Sequence, residues 1–160
     1  MKEKIELLKA EVTDDLNSIK SIKNEYDNYV KDIHLENPDW EKQIVIGYYL
    51  HNFYNGCENI FKNIALFFSG QERSQEWHKK LLKRMKIKVE DVRPAVISEE
   101  LYLILVLDDF RAFRHVYRHI YDGKLDWQKE KLVANKFDKA VELLEKEINK
   151  FCDFLDSIVE

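Results

Sequence analysis

Six residues that could act together on a phosphodiester lie between positions 111 and 121 of this 160-residue chain. They are Arg111, Arg114, His115, Arg118, His119 and Tyr121. Because a histidine titrates near neutrality, it can take a proton from a ribose 2′-OH or give one to a leaving 5′-oxygen. An arginine offers several N–H donors to phosphate oxygens as negative charge builds up in the transition state. The cluster therefore indicates cleavage of RNA in which the substrate's own 2′-OH is the nucleophile and no metal is needed.

A structural role is the alternative for the same residues. Cations in the last turns of a helix interact favourably with the helix dipole, each by about 0.3–1 kcal/mol. Lysine would serve that purpose as well as arginine, and the dipole gives no reason for two histidines among the arginines.

A metal site is a further alternative. His115, His119 and Asp122 stand at i, i+4 and i+7 and could form a site of two histidines and one carboxylate. The neighbouring Arg111 and Arg118 would repel a divalent cation, so the sequence predicts no metal and no cofactor.

The elements that must position these residues are helices. The chain has only 4 Gly and 2 Pro, too few for the turns of a β-sandwich or barrel, and its apolar residues recur with a helical period. The sequence predicts five helices, over residues 2–33, 40–69, 73–86, 98–121 and 127–158, with Asp39, Ser98 and Asp126 as N-caps. The length allows one domain over residues 1–160, so we expect a single all-α antiparallel bundle.

The fourth predicted helix carries the cluster. Its core face collects Leu103, Val106, Phe110, Phe113, Tyr117 and Ile120. Its opposite face collects Asp108, Arg111, His115, Arg118, His119 and Asp122, with Arg114 and Tyr121 along one edge. On a regular helix Arg114 and His119 are separated by roughly 140°, so they cannot both reach one phosphate from one subunit. Either the helix is distorted near its end or the site is shared across a two-fold axis, and we favour the shared site of a homodimer.

The balance of charge limits the partners. The formal net charge is −4, so a nucleic acid would have to be bound by a local basic patch. A second basic stretch lies on and after the predicted third helix and contains Lys79, Lys80, Lys83, Arg84, Lys86 and Lys88. Such a run is commonly a solvated face, but it could extend an RNA track through phosphate contacts. No signal-peptide pattern is present and no apolar run approaches about 18 residues, so we expect a cytoplasmic protein with no membrane partner.

A family resemblance rests on the same residues. The segment from Arg114 to Tyr121 has the pattern Arg, four residues, His, one residue, Tyr. It is accompanied by the stretches LHNFYNGCENIFKNIA, EWHKKLLKRM, VRPAVIS and FRAFRHVYRHIYDGKLDW. Over roughly residues 45 to 128 the chain resembles HepT-type toxins of the HEPN superfamily.

The resemblance implies an all-α, homodimeric, metal-independent endoribonuclease with its motif at the dimer interface. By this resemblance Arg114 stabilises the phosphorane, His119 is the acid and base, and Tyr121 accepts the AMP groups that silence the toxin. The residues expected to support RNA binding are Arg111, His115 and Arg118. The implied partners are an RNA substrate such as tRNA and an MNT-type nucleotidyltransferase antitoxin. The alternative is a non-catalytic helical module that binds a nucleotidyltransferase or RNA, whereas the antitoxin itself is disfavoured because its Gly-Ser turn and paired aspartates are absent.

Overall fold

The computed structural model describes residues 1–70, 76–98, 101–120 and 123–159, without the side chains at positions 78 and 79. Over these ranges the chain forms six helices. They are α1 (Lys2–Val30), α2 (Trp40–Ser69), α3 (Trp77–Met85), α4 (Leu101–Arg118), α5 (Trp127–Ala134) and α6 (Phe137–Ser157). The β-type pairing within the described ranges is one isolated bridge between Val89 and Arg93. The predicted all-α bundle is confirmed.

The centre of the bundle is α2. Its apolar side chains occupy several faces, and Ile46, Leu50, Phe53, Cys57, Ile60, Phe61 and Ile64 are all fully buried. The helix contacts α1, α3, α4 and α5, so each of these elements buries its apolar face against it. Its N-terminus is capped as predicted, because the Asp39 carboxylate accepts a hydrogen bond from the backbone N–H of Lys42 at 3.0 Å.

The prediction of one last helix over residues 127–158 is wrong in one respect, because the structure divides this segment into α5 and α6. Asp126 caps α5 as expected and accepts from the backbone N–H groups of Gln128 and Lys129. At the break the N–H of Lys136 donates to the carbonyl of Val133, three residues back, instead of the one four residues back. The break redirects the chain, so that α5 packs on α2 and α4 while α6 packs on α1 and α4.

Residues 87–97, between α3 and α4, form a loop, as predicted, and Arg93 holds this loop against the end of α3. The Arg93 guanidinium donates to the carbonyl of Arg84 in the last turn of α3 at 3.2 Å and to the carbonyl of Ile87, two residues beyond that helix, at 3.0 Å. The N–H groups of Val96 and Ile97 both donate to the carbonyl of Met85. These bonds satisfy the last carbonyls of α3 and hold that short helix beside α4.

The fourth predicted helix ends earlier in the structure than predicted, and its predicted start lies partly outside the described residues. The helix ends at Arg118, three residues before the predicted end. Residues 99 and 100, which follow the predicted cap Ser98, lie outside the described residues; the Ser98 hydroxyl donates to the Glu147 carboxylate at 3.3 Å. Among the described residues, every helix is too short or too polar for a membrane span.

Candidate functional site

The two faces of α4 follow the predicted division. Leu103, Val106, Phe110 and Phe113 are buried, and Tyr117 and Ile120 are half-buried. On the opposite face Asp108, His115, Arg118 and His119 are exposed and Arg111 is half-buried. The end of α4 therefore presents a histidine- and arginine-rich surface to solvent.

Arg114 departs from this surface and turns inward. Its Nη1 donates to Asn55 Oδ1 at 2.9 Å, and its Nη2 donates to Glu58 Oε2 at 2.7 Å. The guanidinium also lies 4.9 Å from the centre of the Tyr54 ring, within cation–π range. About 10% of the side chain is exposed. The predicted phosphate ligand is thus held between α4 and α2 with little access to solvent.

Glu58 supplies the counter-charge. Burial alone would raise the pKa of this carboxyl, but hydrogen bonds and positive charge from Arg114 and Lys62 outweigh burial and lower the pKa. Lys62 lies 3.0 Å from Glu58 Oε1, one turn further along α2. Glu58 is consequently a buried carboxylate whose charge is balanced by two cations.

His51 joins the same network through Asn55. Because Asn55 Oδ1 accepts from Arg114, its Nδ2 faces His51 and donates to the imidazole Nε2 at 3.1 Å. The neutral His51 ring therefore carries its proton on Nδ1, which is buried and has no hydrogen-bond partner among the described residues. Burial and the charges of Arg118 and Arg114 lower the pKa of His51, so the imidazole is neutral at neutral pH. Asn55 is held from both sides by this arrangement.

His119 lies one residue beyond α4, in a turn that its own N–H closes by donating to the carbonyl of Val116 at 3.1 Å. Its Nδ1 lies 2.7 Å from the carbonyl oxygen of His115. A carbonyl can only accept, so Nδ1 carries the proton and the basic lone pair of the neutral ring is on Nε2. The His115 and His119 rings lie 4.7 Å apart.

Arg114 and His119 are not brought together within one chain. Among the described residues, no hydrogen bond or ring contact joins them, since Arg114 faces α2 and His119 faces solvent. Arg111 forms an ion pair with Asp108, with Nε 2.8 Å from Oδ1. Tyr121 and Asp122 lie outside the described residues.

A comparison with models of known protein families identifies the family of this chain. The family model described as HepT-like protein matches residues 45–155, more than two thirds of the chain. The chain belongs to the HepT-like protein family. The match spans nearly all of α2, then α3, α4, α5 and most of α6, including every residue of the Arg114 network. No significant match was found among curated proteins or among solved structures.

Sequence reasoning missed the α2 side of this HepT-like site. His51, Asn55 and Glu58 stand at i, i+4 and i+7 on a helix that buries apolar side chains on several faces, and Lys62 continues the row. A polar row of this kind on a central helix signals buried polar partners on a neighbouring element. The row was present in the sequence, but its partner Arg114 lies 56 residues away from Glu58.

The structure describes two of the three ligands of the metal alternative, His115 and His119. Within residues 1–70, 76–98, 101–120 and 123–159, no three His, Cys, Asp or Glu side chains are grouped closely enough to hold an ion. Asp122, the third ligand of the alternative considered above, is outside those ranges.

Proposed function

We propose that this HepT-like protein is the toxin of a toxin–antitoxin pair and a metal-independent endoribonuclease. The observation that carries the proposal is the combination, at one helix end, of a buried arginine and an exposed histidine. Glu58 and Asn55 fix Arg114, and a backbone carbonyl fixes the tautomer of His119. Membership of the HepT-like family supports the same conclusion.

In the proposed reaction His119 moves the protons. Its Nε2 takes the proton from a ribose 2′-OH, and the 2′-oxygen attacks the adjacent phosphorus. The bond from phosphorus to the 5′-oxygen breaks, and the protonated imidazole of His119 gives the leaving 5′-oxygen its proton. The products are a 2′,3′-cyclic phosphate and a 5′-hydroxyl.

Arg114 stabilises the negative charge on the phosphorane. An arginine has five N–H donors, and Asn55 and Glu58 occupy one each on the two terminal nitrogens. Arg118 and His115, both exposed on the same helix end, add positive or hydrogen-bonding groups for the flanking phosphates.

A homodimer completes the proposed site. Large apolar side chains remain exposed along α4 and on α5, with Leu101, Leu105, Val116 and Leu132 between 52% and 69% exposed. Burying these residues against a second copy would place two sets of His115 and His119 near one two-fold axis. The histidine of one subunit can then act beside the arginine of the other.

Silencing of the toxin is proposed to act through Tyr121. An MNT-type nucleotidyltransferase antitoxin would transfer AMP from ATP to its hydroxyl, with pyrophosphate as the leaving group. The added phosphates would carry negative charge into the neighbourhood of Arg114 and Arg118 in sequence and exclude the RNA phosphate by repulsion and bulk.

The second candidate function is a non-catalytic module that binds a nucleotidyltransferase or RNA. The burial of Arg114 favours this second function, because an arginine whose side chain is about 10% exposed and paired with Glu58 can have a purely structural role.

The test uses an RNA oligonucleotide cut by the purified protein at a mapped position, beside the same RNA carrying one 2′-deoxyribose there. We expect cyclic phosphate ends on the ribose substrate, no cutting at the deoxyribose and no cutting by a folded His119→Ala variant. Cutting at the deoxyribose would refute the 2′-OH mechanism. Binding without cleavage by the wild type would favour the second candidate.

A further inference from the structure

A basic cleft lies between α3 and α4, on the side of α4 away from α5. Its volume is about 670 Å³, and its lining includes Lys80, Lys83, Lys86 and Arg111. Leu82 and Ile104 form part of its apolar surface. Four cations in one cleft are unexpected in a chain whose formal net charge is −4.

Two of these four cations have acidic neighbours and two do not. Lys80 lies 3.7 Å from Glu76, and Arg111 lies 2.8 Å from Asp108. Lys83 and Lys86 are exposed and form no ion pair with any acidic residue in the part of the chain that the structure describes. The cleft therefore keeps a net positive charge of about two, which favours an anionic ligand.

The cleft continues into the candidate site. Arg111, His115 and Arg118 stand at i, i+4 and i+7 and so follow one line along α4 towards His119. From Arg111 to Arg118 the helix advances about 10 Å, the length of about three stacked nucleotides. A strand whose scissile phosphate lies at His119 reaches the cleft with a phosphate a few nucleotides away.

We propose that the α3–α4 cleft, with Lys83 and Lys86 as its principal contacts, binds the RNA strand that flanks the scissile phosphate. This inference rests on the proposed ribonuclease function and names how its substrate is held. The lysines contact phosphates and supply affinity without reading sequence, while the apolar residues of the cleft accept ribose and base faces. Substrates too short to reach the cleft do not benefit from it.

The test measures binding and chemistry separately. Binding uses the full chain with His119→Ala, which blocks cleavage, and a fluorescent single-stranded RNA of about twelve nucleotides over a range of salt concentrations. Each phosphate contact on single-stranded RNA contributes about 0.7 to the slope of log K against log salt. Adding Lys83→Gln and Lys86→Gln should lower the slope by about 1.4 and weaken binding about tenfold near physiological salt.

The matched control removes the same charge elsewhere, with Lys2→Gln and Lys31→Gln, two exposed lysines that form no ion pair with another described residue and do not line the cleft. An equal slope in the cleft variant and the control would overturn the proposal. So would equal displacement of the RNA by polyglutamate at matched charge, which would identify the cleft as a docking site for an acidic protein.

Cleavage rates are measured with variants that keep His119. The cleft substitutions should raise the KM for the long RNA and leave cleavage of a dinucleotide unchanged. A change in slope without cleavage of any RNA would leave the cleft supported and the ribonuclease refuted. Equal loss of dinucleotide cleavage would show that the lysines act at the reacting phosphate and would overturn their role in the cleft.

Discussion

Three glutamates are almost completely buried in the part of the chain that the structure describes, and two of them, Glu58 and Glu130, have surroundings that give them opposite charge states. Glu58 on α2 is 5% exposed, and Glu130 on α5 is 1% exposed. Glu58 contacts Arg114 and Lys62, which lower its pKa despite its burial. Neither carboxyl oxygen of Glu130 has a hydrogen-bond partner among the described residues, and burial raises the pKa of Glu130 to about 8.

The difference shows what a buried carboxyl is used for in each place. At neutral pH Glu58 is an anion that holds Arg114 in the candidate site. Glu130 is mainly a neutral acid at the same pH, packed near Gly47 and Tyr117. The first carboxyl organises a charged network, whereas the second is tolerated in the core because it can keep its proton.

The largest expected effect comes from removing the charged glutamate. Glu58→Ala should lower the free energy of unfolding by about 3–5 kcal/mol, because Arg114 would be left buried without its counter-charge. Urea denaturation of the variant beside the wild type measures this effect. A double variant with Glu58→Met and Arg114→Met should recover most of the loss, since no buried charge is left unpaired and Lys62, whose side chain is 29% exposed, can be solvated. A loss below about 1 kcal/mol for Glu58→Ala would contradict the account of this pair.

Glu130 predicts a dependence of stability on pH. Between about pH 4.5 and pH 8 the folded state holds the Glu130 proton and the unfolded state loses it, so stability falls as pH rises. The slope is at most about 1.4 kcal/mol per pH unit and vanishes above the folded pKa and below the unfolded pKa. The difference in unfolding free energy between the wild type and Glu130→Gln, measured across pH 4 to about 9, isolates this effect. Parallel curves for the two proteins would show that Glu130 keeps an ordinary pKa.

Gly47 tests the packing around the neutral carboxyl. A Cβ at this position would lie 2.7 Å from Tyr117 Cε2 and 3.2 Å from Glu130 Oε1. The Tyr117 ring cannot move away cheaply, because its hydroxyl donates to the carbonyl of Ile44 at 3.0 Å. Gly47→Ala should therefore cost roughly 1–2 kcal/mol after the gain in helix propensity is allowed for. The cost should shrink in a Tyr117→Leu background, and an equal cost there would mean that the clash lies elsewhere.

The smallest effect is expected at the exposed counterpart of the Glu58 pair. Asp108 also bonds an arginine of α4, Arg111, but its side chain is 55% exposed. Because solvent and salt screen such a pair, Asp108→Asn should change the free energy of unfolding by no more than about 0.5 kcal/mol. Thermal unfolding at low and high salt measures the change. A loss of stability as large as that of Glu58→Ala would show that burial does not explain the difference between the two ion pairs.

The sequence alone was sufficient to predict the features of the fold that depend on local periodicity. It predicted the exposed and buried faces of α4 and the caps at Asp39 and Asp126, because these follow from residue spacing and side-chain chemistry. It could not orient Arg114, since the orientation depends on Asn55 and Glu58, which become neighbours only through packing of α2 against α4. It also missed the break between α5 and α6, where no Gly or Pro stands at positions 135 and 136 to mark it.

The proposed ribonuclease function depends on His119 acting as acid and base without a metal. The most direct measurement incubates purified wild type, His119→Ala and His34→Ala with total tRNA and a generic single-stranded RNA in EDTA. His34 is exposed like His119 but lies in the segment between α1 and α2, so its variant controls for the loss of a surface histidine. We expect cleavage by the wild type and His34→Ala and none by His119→Ala. Cleavage that persists in folded His119→Ala, or that disappears from the wild type in EDTA, would contradict it.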